Sequence, residues 1–337
     1  MTSAHPEWPD WESDILGTPY QSLTLPLGED PDSESDVCCT VVRYHPADAA
    51  APEWEQRPAL LWVHGMTDYF FQTHVAEFFH EHGFAFYAVD LRKCGRSHRP
   101  GQRWHYTTDL EYYFPDLDAA VDALRGAGHE HIIPLAHSTG GLIVPLWLSA
   151  LATRGDERHA HISALVLNSP WLDMMYPRLL VTLGTPVAIA LGARKPNIEI
   201  PGGKLTCYGE SLHRDYHGEW DYDLALKPLE GHDKYLGWLR AILLGQREVH
   251  AHHVDVGVPT LTLCSSTSWL NQPYSAAADT ADTVLDVEQI RRRAPLLGRD
   301  VTVRTIDGAR HDVFCSTPQA RAEAFAATLR WLHTTLD

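Results

Sequence analysis

Short apolar runs alternate with helical stretches along most of the chain. ALLWVHG, FAFYAVD, HIIPLAH and ISALVLNSP are apolar nearly throughout, and stretches with helical periodicity separate them. Strands that are buried on both faces have this pattern, so we predict a mostly parallel central sheet flanked by helices, an α/β fold. Before these runs, YQSLTLPL and VCCTVVRY flank an acidic turn and predict an antiparallel strand pair.

The alternation stops after Pro170. Residues 171–258 are rich in Trp, Tyr, His, Pro and Gly, with helical pieces at RLLVTLGTPVAIALG and HDKYLGWLRAILLG. Strand and helix patterns then return with VPTLTLCS, a helix from about Asp286, DVTVRTID and a final helix over PQARAEAFAATLRWLHTTL. We therefore predict one core domain, residues 1–170 and 259–337, interrupted by a helical insertion over residues 171–258.

Composition and charge narrow the range of partners. The 337 residues are 44% apolar and 21% charged, which is ordinary for a globular protein. A net charge of −17 argues against nucleic acid and anionic membranes as partners. We find no apolar run near the roughly 20 residues that cross a bilayer, no secretory leader and no disulfide spacing among the six cysteines. We expect a cytoplasmic protein without stable membrane insertion.

The segment LAHSTGG places Ser138 directly after a predicted strand and before a predicted helix. Such a turn forces the serine into a strained conformation that projects its hydroxyl above the sheet edge. Small residues are needed two positions before and after it, and here they are Ala136 and Gly140. Ala136 departs from the usual G-x-S-x-G by one methyl group. We predict that Ser138 is a nucleophile rather than a structural turn serine.

A serine nucleophile needs an oriented base. Among 21 histidines, position selects His311, which follows the last predicted strand in DGARHDVF. Loops at the carboxyl ends of parallel strands meet at one edge of the sheet, and the order Ser, acid, His is typical of such sheets.

The loop between VPTLTLCS and the next helix offers three acids. Asp286 precedes a helical run with Gln289 three residues on, which suits a helix cap. Asp282 lies where the loop turns into that helix. We prefer Asp282 as the acid, with Asp286 second and Asp279 third.

A tetrahedral oxyanion needs two preorganised donors. We predict the backbone N–H of Thr139, at the start of the helix after the nucleophile, and that of Met66, in the loop after LLWVHG. His64 in that loop could be a second base, but we favour a bracing role for it.

Taken together, WVHGMTD, VDLRKCGRS, LAHSTGG, ADTVLD and DGARHDVF resemble the motifs of the α/β-hydrolase superfamily. The resemblance is closest to the monoglyceride-lipase, lysophospholipase and serine-aminopeptidase-like branch. It implies an α/β-hydrolase fold with a cap over residues 171–258. Two features depart from the branch's pattern: Ala136, and Lys93–Cys94, where the pattern has glycine and usually histidine.

From the residues and the resemblance together, we predict a serine hydrolase that cleaves a carboxylic ester through an acyl-enzyme. We expect its substrate to be a small-molecule ester with a short or medium acyl chain or an aryl group. This class includes esters that resemble monoacylglycerols or lysophospholipids. Amide hydrolysis and a non-catalytic ligand-binding role are the alternatives, and a homodimer stays open. We expect no cofactor, no nucleic acid and no metal, although HAHH at 250–253 is histidine-rich.

The insertion is expected to set the substrate. RLLVTLGTPVAIALG should supply an apolar wall of the pocket. A polar rim is expected from five aromatic and polar residues, Tyr208, His213, Glu219, Trp220 and Asp221.

Overall fold

The computed structural model describes residues 10–50, 54–176 and 178–336. Its strands, in chain order, are β1 Glu12–Ser13, β2 Tyr20–Gly28, β3 Val37–Tyr44, β4 Ala59–Val63, β5 Ala85–Asp90, β6 Ile132–His137, β7 Leu165–Asn168, β8 Glu199–Ile200, β9 Lys234–Tyr235, β10 Thr260–Ser265 and β11 Val301–Ile306. Its α-helices are α1 Thr73–Glu81, α2 Phe114–Gly126, α3 Gly140–Arg154, α4 Arg178–Arg194, α5 Thr206–Leu212, α6 Leu236–His250, α7 Val287–Arg293 and α8 Pro318–Leu336.

One sheet carries the fold, and its strand order is β1-β2-β3-β5-β4-β6-β7-β10-β11. The strands from β5 to β11 in this order run parallel, whereas β1, β2 and β3 pair antiparallel at one edge. The predicted mostly parallel sheet with an opening antiparallel pair is confirmed. The two-residue β1 was not predicted, because both of its side chains are exposed and leave no apolar pattern.

Strand β4 shows why the central strands are apolar throughout. Leu61 and Val63 point into an apolar cluster that contains side chains of α2 and α3. Leu60 and Trp62 point to the other face, where α1 and α8 pack. Since successive side chains of a strand alternate between faces, a sheet covered on both sides buries every residue of its inner strands.

The residues of the predicted insertion lie between β7 and β10 in the chain. Its helix α6 packs closely on the core, with Trp238, Ile242 and Val249 in the same apolar cluster as α2 and α3. Helix α4 approaches α6 at Gly192, where an added Cβ would lie 2.5 Å from the carbonyl oxygen of Leu236. Among the described residues, no helix has both the length and the apolar character needed to span a membrane.

Candidate active site

Ser138 occupies the tight turn between β6 and α3. Its φ is +53°, in the left-handed region that few non-glycine residues adopt, and its N–H donates a hydrogen bond of 3.0 Å to the carbonyl of Asn168. The predicted strained conformation is therefore present. Strain of this kind in a non-glycine residue is typical of functional positions.

Close backbone contacts explain the small residues around this turn. A Cβ added to Gly140 would lie 2.5 Å from the carbonyl oxygen of His64, so the start of α3 can approach the end of β4 only with glycine there. Gly65 approaches the serine itself, since its added Cβ would lie 2.9 Å from the Cβ of Ser138. Ala136, in contrast, is fully buried on β6, and its methyl group packs in the apolar cluster.

The loops after β6, β10 and β11 bring three predicted residues together. The Ser138 hydroxyl donates to Nε2 of His311 at 2.9 Å, and Nδ1 of His311 donates to a carboxylate oxygen of Asp282 at 2.9 Å. The three residues are 8%, 2% and 0% exposed. The second Asp282 oxygen accepts from the backbone N–H groups of Val284 and Leu285 at 2.8 Å each. The carboxylate is therefore fixed by the loop that carries it.

The two other candidate acids lie elsewhere. Asp286 is the N-cap of α7 and accepts from the backbone N–H of Glu288 at 3.1 Å, so its predicted capping role is confirmed. Gln289 does not complete a capping box, because its amide donates to the carbonyl of Met174 instead. Asp279 pairs with Arg310 at 2.8 Å.

Two backbone N–H groups beside Ser138 suit a developing oxyanion. In the described part of the chain, neither Met66 nor Thr139 donates its backbone N–H to another protein group. The loop of Met66 is braced by His64, whose Nε2 accepts from the N–H of Leu91 at 3.0 Å while Nδ1 donates to the Gly65 carbonyl. Both ring nitrogens of His64 are thus occupied, which fits a brace rather than a second base.

Comparison with known families agrees with this geometry. The model of the family described as serine aminopeptidase, S33, matches residues 55–317, well over half of the chain. The chain belongs to the serine aminopeptidase S33 family. The predicted α/β-hydrolase fold is confirmed, and the family match agrees with the serine-aminopeptidase-like part of the predicted resemblance. None of the curated proteins matches this sequence.

Solved structures share the fold at low sequence identity. The monoacylglycerol lipase of Paleococcus ferrophilus is 23% identical, with a TM-score of 0.58 over 83% of this chain and 96% of its own. A soluble variant of monoglyceride lipase from Saccharomyces cerevisiae, in complex with a substrate analog, is 16% identical, with a TM-score of 0.62 over 99% and 96%. A thermostable carboxyl esterase from Bacillus coagulans, in complex with glycerol, is 15% identical, with a TM-score of 0.62 over 94% and 99%.

The departure from the family pattern at Lys93 has a local explanation. Lys93 adopts a φ of +60°, the region that glycine enters without strain. Its fully buried ammonium lies 2.7 Å from a carboxylate oxygen of Asp30 and 2.9 Å from one of Glu34. The turn therefore forms with lysine, and two carboxylates on the segment between β2 and β3 neutralise the buried charge.

A buried polar cluster behind the histidine was not predicted from the sequence. The Asp312 carboxylate accepts from the side-chain amides of Asn168 at 2.7 Å and Gln72 at 3.2 Å. His137 lies beside it, with its ring centroid 4.8 Å from that of His311. Burial lowers the pKa of His137 to about 4, so this ring is neutral at neutral pH. The cluster thus holds His137, which precedes Ser138, and Asp312, which follows His311.

Ser138 lies in the wall of a cavity of about 240 Å³. The apolar part of the wall comes from methionine, tryptophan and leucine side chains at Met66, Trp171, Met174, Met175, Trp238, Leu239, Leu270 and Leu285. A polar part includes Lys204, Lys234, Asn271 and Gln272. Most of these residues could not be predicted from the sequence, because they come from separate segments that meet only in the fold.

The expectation for α4 was wrong in one respect. Leu179, Leu180, Leu183 and Val187 are between 58% and 70% exposed, and none of them lines the cavity. Its apolar composition therefore reflects an outward face, while the apolar cavity wall is built by residues of other segments.

The expected polar rim also needs correction. His213 bonds within the insertion, to Tyr222 and Asp215, and Trp220 donates to the carbonyl of Cys315 at 2.9 Å while stacking on His74. These contacts pack the insertion together and against the core.

The other three rim candidates do not line the cavity either. Glu219 pairs with Arg321, and Asp221 pairs with Arg214. Tyr208 does lie near the site, with its ring 5.4 Å from that of His311 in an edge contact, but it is a buried neighbour of the histidine.

The insertion contacts the loop that follows β4. Lys227 forms a buried ion pair of 2.8 Å with Asp68, and the hydroxyl of Tyr69 accepts from the backbone N–H of Asp223 at 2.8 Å. These contacts join residues 223–227 to the loop that contains Met66. Neither Lys227 nor Asp68 had a sequence signal.

The histidine-rich segment 250–253 makes ordinary contacts. His250 donates to the carbonyl of Leu172 at 2.8 Å, and His253 pairs with Glu248. Across residues 10–50, 54–176 and 178–336, no three His, Cys, Asp or Glu side chains are placed to hold a metal ion.

Proposed function

We propose that this protein is a serine hydrolase that cleaves a carboxylic ester through an acyl-enzyme. The observation that carries the proposal is the continuous hydrogen-bonded chain from Ser138 through His311 to Asp282, with both distances 2.9 Å. A serine hydroxyl in contact with an imidazole whose other nitrogen is held by a buried carboxylate is the arrangement that activates serine for acyl transfer.

The first half of the reaction makes the acyl-enzyme. As Oγ of Ser138 attacks the ester carbonyl carbon, Nε2 of His311 takes the hydroxyl proton. The carbonyl oxygen becomes an oxyanion, to which the N–H groups of Met66 and Thr139 donate. The tetrahedral intermediate collapses, the bond to the alcohol oxygen breaks, and His311 gives its proton to the departing alcohol.

The second half releases the acid. Nε2 of His311 takes a proton from water as the water oxygen attacks the acyl carbon. When the second tetrahedral intermediate collapses, the bond between the acyl carbon and Oγ of Ser138 breaks, His311 returns the proton to Oγ, and the carboxylic acid leaves. Asp282 stays ionised throughout, fixes the Nδ1–H tautomer of His311 and stabilises the imidazolium that forms in each half.

The choice of an ester over an amide rests on similarity to other hydrolases. Two of the similar structures are lipases of monoacylglycerols or monoglycerides, and a third is a carboxyl esterase with glycerol bound. The cavity, about 240 Å³, lies below the roughly 300 Å³ at which drug-sized pockets begin. We therefore propose short or medium acyl chains, or an aryl acid, with residues 171–258 acting as a cap that keeps bulk water away from Ser138.

A chain-length series tests this function. p-Nitrophenyl esters from acetyl to dodecanoyl should give the highest kcat/KM at a short or medium chain. Ser138→Ala should lower turnover by a factor on the order of 10⁴ to 10⁶ while the circular dichroism spectrum stays unchanged. A kcat/KM that rises steadily to dodecanoyl, with activation at an oil–water interface, would contradict the proposed substrate class. Hydrolysis of aminoacyl p-nitroanilides but of no ester would show an amidase instead.

A further inference from the structure

The charged residues of the cavity have one sign. Lys204 and Lys234 line it, and none of the described lining residues is Asp or Glu. The chain as a whole carries a formal net charge of −17, which opposes the approach of anions. The charged residues that line this cavity are therefore opposite in sign to the net charge of the chain.

The two lysines differ in what they contact. Lys204 is largely exposed and pairs with Glu230 at 2.5 Å. Lys234 is half-buried on β9, and within the described residues no carboxylate lies within 4.0 Å of its ammonium. Its ammonium donates one hydrogen bond, of 3.3 Å, to the carbonyl of His232. Two of its three donors therefore have no protein acceptor among these residues.

Burial lowers the pKa of Lys234, and the charge of the adjacent Asp233 only partly opposes this effect. Asp233 itself is exposed to solvent. An ammonium that has lost part of its hydration and lacks a carboxylate partner gains from an anion bound beside it.

Further donors line the same cavity. Asn271 and Gln272 line the cavity, and each carries a side-chain amide able to donate two hydrogen bonds. An ammonium together with two carboxamides matches the oxygen-rich surface of a carboxylate or a phosphate. Met174 and Trp238 also line the cavity, and their side chains suit an apolar group.

We infer that the substrate is an ester that also carries an anionic group, a carboxylate or a phosphate, and that Lys234 binds this group while the ester carbonyl lies at Ser138. This inference rests on the proposed ester hydrolysis and adds the charge of the substrate to it. The anion can belong to the acyl part or to the alcohol part of the ester.

Two matched substrate pairs separate these sources. p-Nitrophenyl hydrogen glutarate against p-nitrophenyl pentanoate tests an anion on the acyl side. 1-Butanoylglycerol 3-phosphate against 1-butanoylglycerol tests an anion on the alcohol side. The expected result is a higher kcat/KM for the anionic member of one pair, and that pair identifies the source.

Variants then assign the preference to one side chain. Lys234→Met should lower the anionic-to-neutral ratio of kcat/KM by about 10- to 100-fold, the effect of one hydrogen bond to a charged group, mainly through KM. Lys234→Arg, which keeps the charge, should retain a preference for the anionic ester. Lys195→Met is the control, because Lys195 is exposed and does not line the cavity, and it should change the ratio less than about threefold.

Three results would overturn the inference, and the third would also contradict the proposed function. A preference of the wild-type protein for the neutral member in both pairs shows that the cavity does not select anions. An unchanged ratio in folded Lys234→Met protein removes Lys234 from the account. If the wild-type protein hydrolyses none of the four compounds, the proposed ester hydrolysis fails and the inference fails with it, whereas turnover of the neutral esters alone leaves the proposed function standing.

Discussion

Replacing Lys227 by methionine should weaken the fold at the junction between the insertion and the loop of Met66. The ammonium of Lys227 and the carboxylate of Asp68 are 2.8 Å apart, and their side chains are 8% and 3% exposed. Methionine keeps most of the apolar stem of lysine but removes the charge. Asp68 then remains in a buried position without its counter-ion.

The magnitude follows from the burial of both partners. Removing one member of a buried ion pair costs about 3 to 5 kcal/mol, because the remaining charge is left uncompensated. Replacing both members by neutral groups is much less costly. Lys227→Met should therefore lower the free energy of unfolding by about 3 to 5 kcal/mol, and Lys227→Met/Asp68→Asn should recover most of that loss.

Urea unfolding at pH 7, followed by tryptophan fluorescence and circular dichroism, measures these differences. The matched control is Lys204→Met, which breaks the exposed pair with Glu230 and should cost no more than about 1 kcal/mol. A loss below 1 kcal/mol for Lys227→Met would refute the reasoning. So would a double variant whose loss equals the sum of the two single losses, since that result means the two charges do not interact.

Two further predictions concern the acids and the pH. Asp282→Asn should lower kcat by about 10³- to 10⁴-fold with little change in Tm, whereas Asp286→Ala should cost about 1 kcal/mol of stability and leave kcat near the wild-type value; a reversed pattern in the p-nitrophenyl ester assay exchanges the two roles. Burial lowers the pKa of His74, His137 and His232 from 6.5 to about 4, so the unfolded chain takes up more protons than the folded one between these pH values. Stability should therefore fall as the pH drops from about 6.5 to 4, and a Tm that stays constant or rises over this range would contradict the burial of these rings.

Ser138 and His311 could be predicted from the sequence because each directly follows a recognisable strand. Ser138 stands between an apolar strand and a helix, and Gly140 is required there by a carbonyl oxygen that an added Cβ would approach to 2.5 Å. His311 follows the last strand, and a parallel sheet brings the carboxyl ends of its strands to one edge. Both positions therefore follow from the order of strands and helices along the chain.

The acid was harder to predict because the loop after β10 holds three aspartates. Only the folded loop shows that Asp282 accepts from two consecutive backbone N–H groups and points its other oxygen at His311. Asp286 carried a local signal, a helix start, and that signal correctly marked it as a cap.

Lys227 and Lys234 could not be found from the sequence. Each acquires its meaning from a segment far away in the chain: Lys227 from Asp68 on the loop after β4, and Lys234 from the cavity that several segments enclose. The same limit explains the error at His213 and Trp220. Their aromatic and polar character suggested a pocket rim, but only the fold determines which surface such residues face.

Covalent labelling with a fluorophosphonate tests the central claim most directly, because the probe reacts with an activated serine and needs no knowledge of the substrate. Intact-mass and peptide analysis should show one adduct, on Ser138, formed in step with the loss of esterase activity. Ser138→Ala should take up no probe, and His311→Ala should react far more slowly. An adduct on another serine, or full esterase activity in protein labelled at Ser138, would contradict the account.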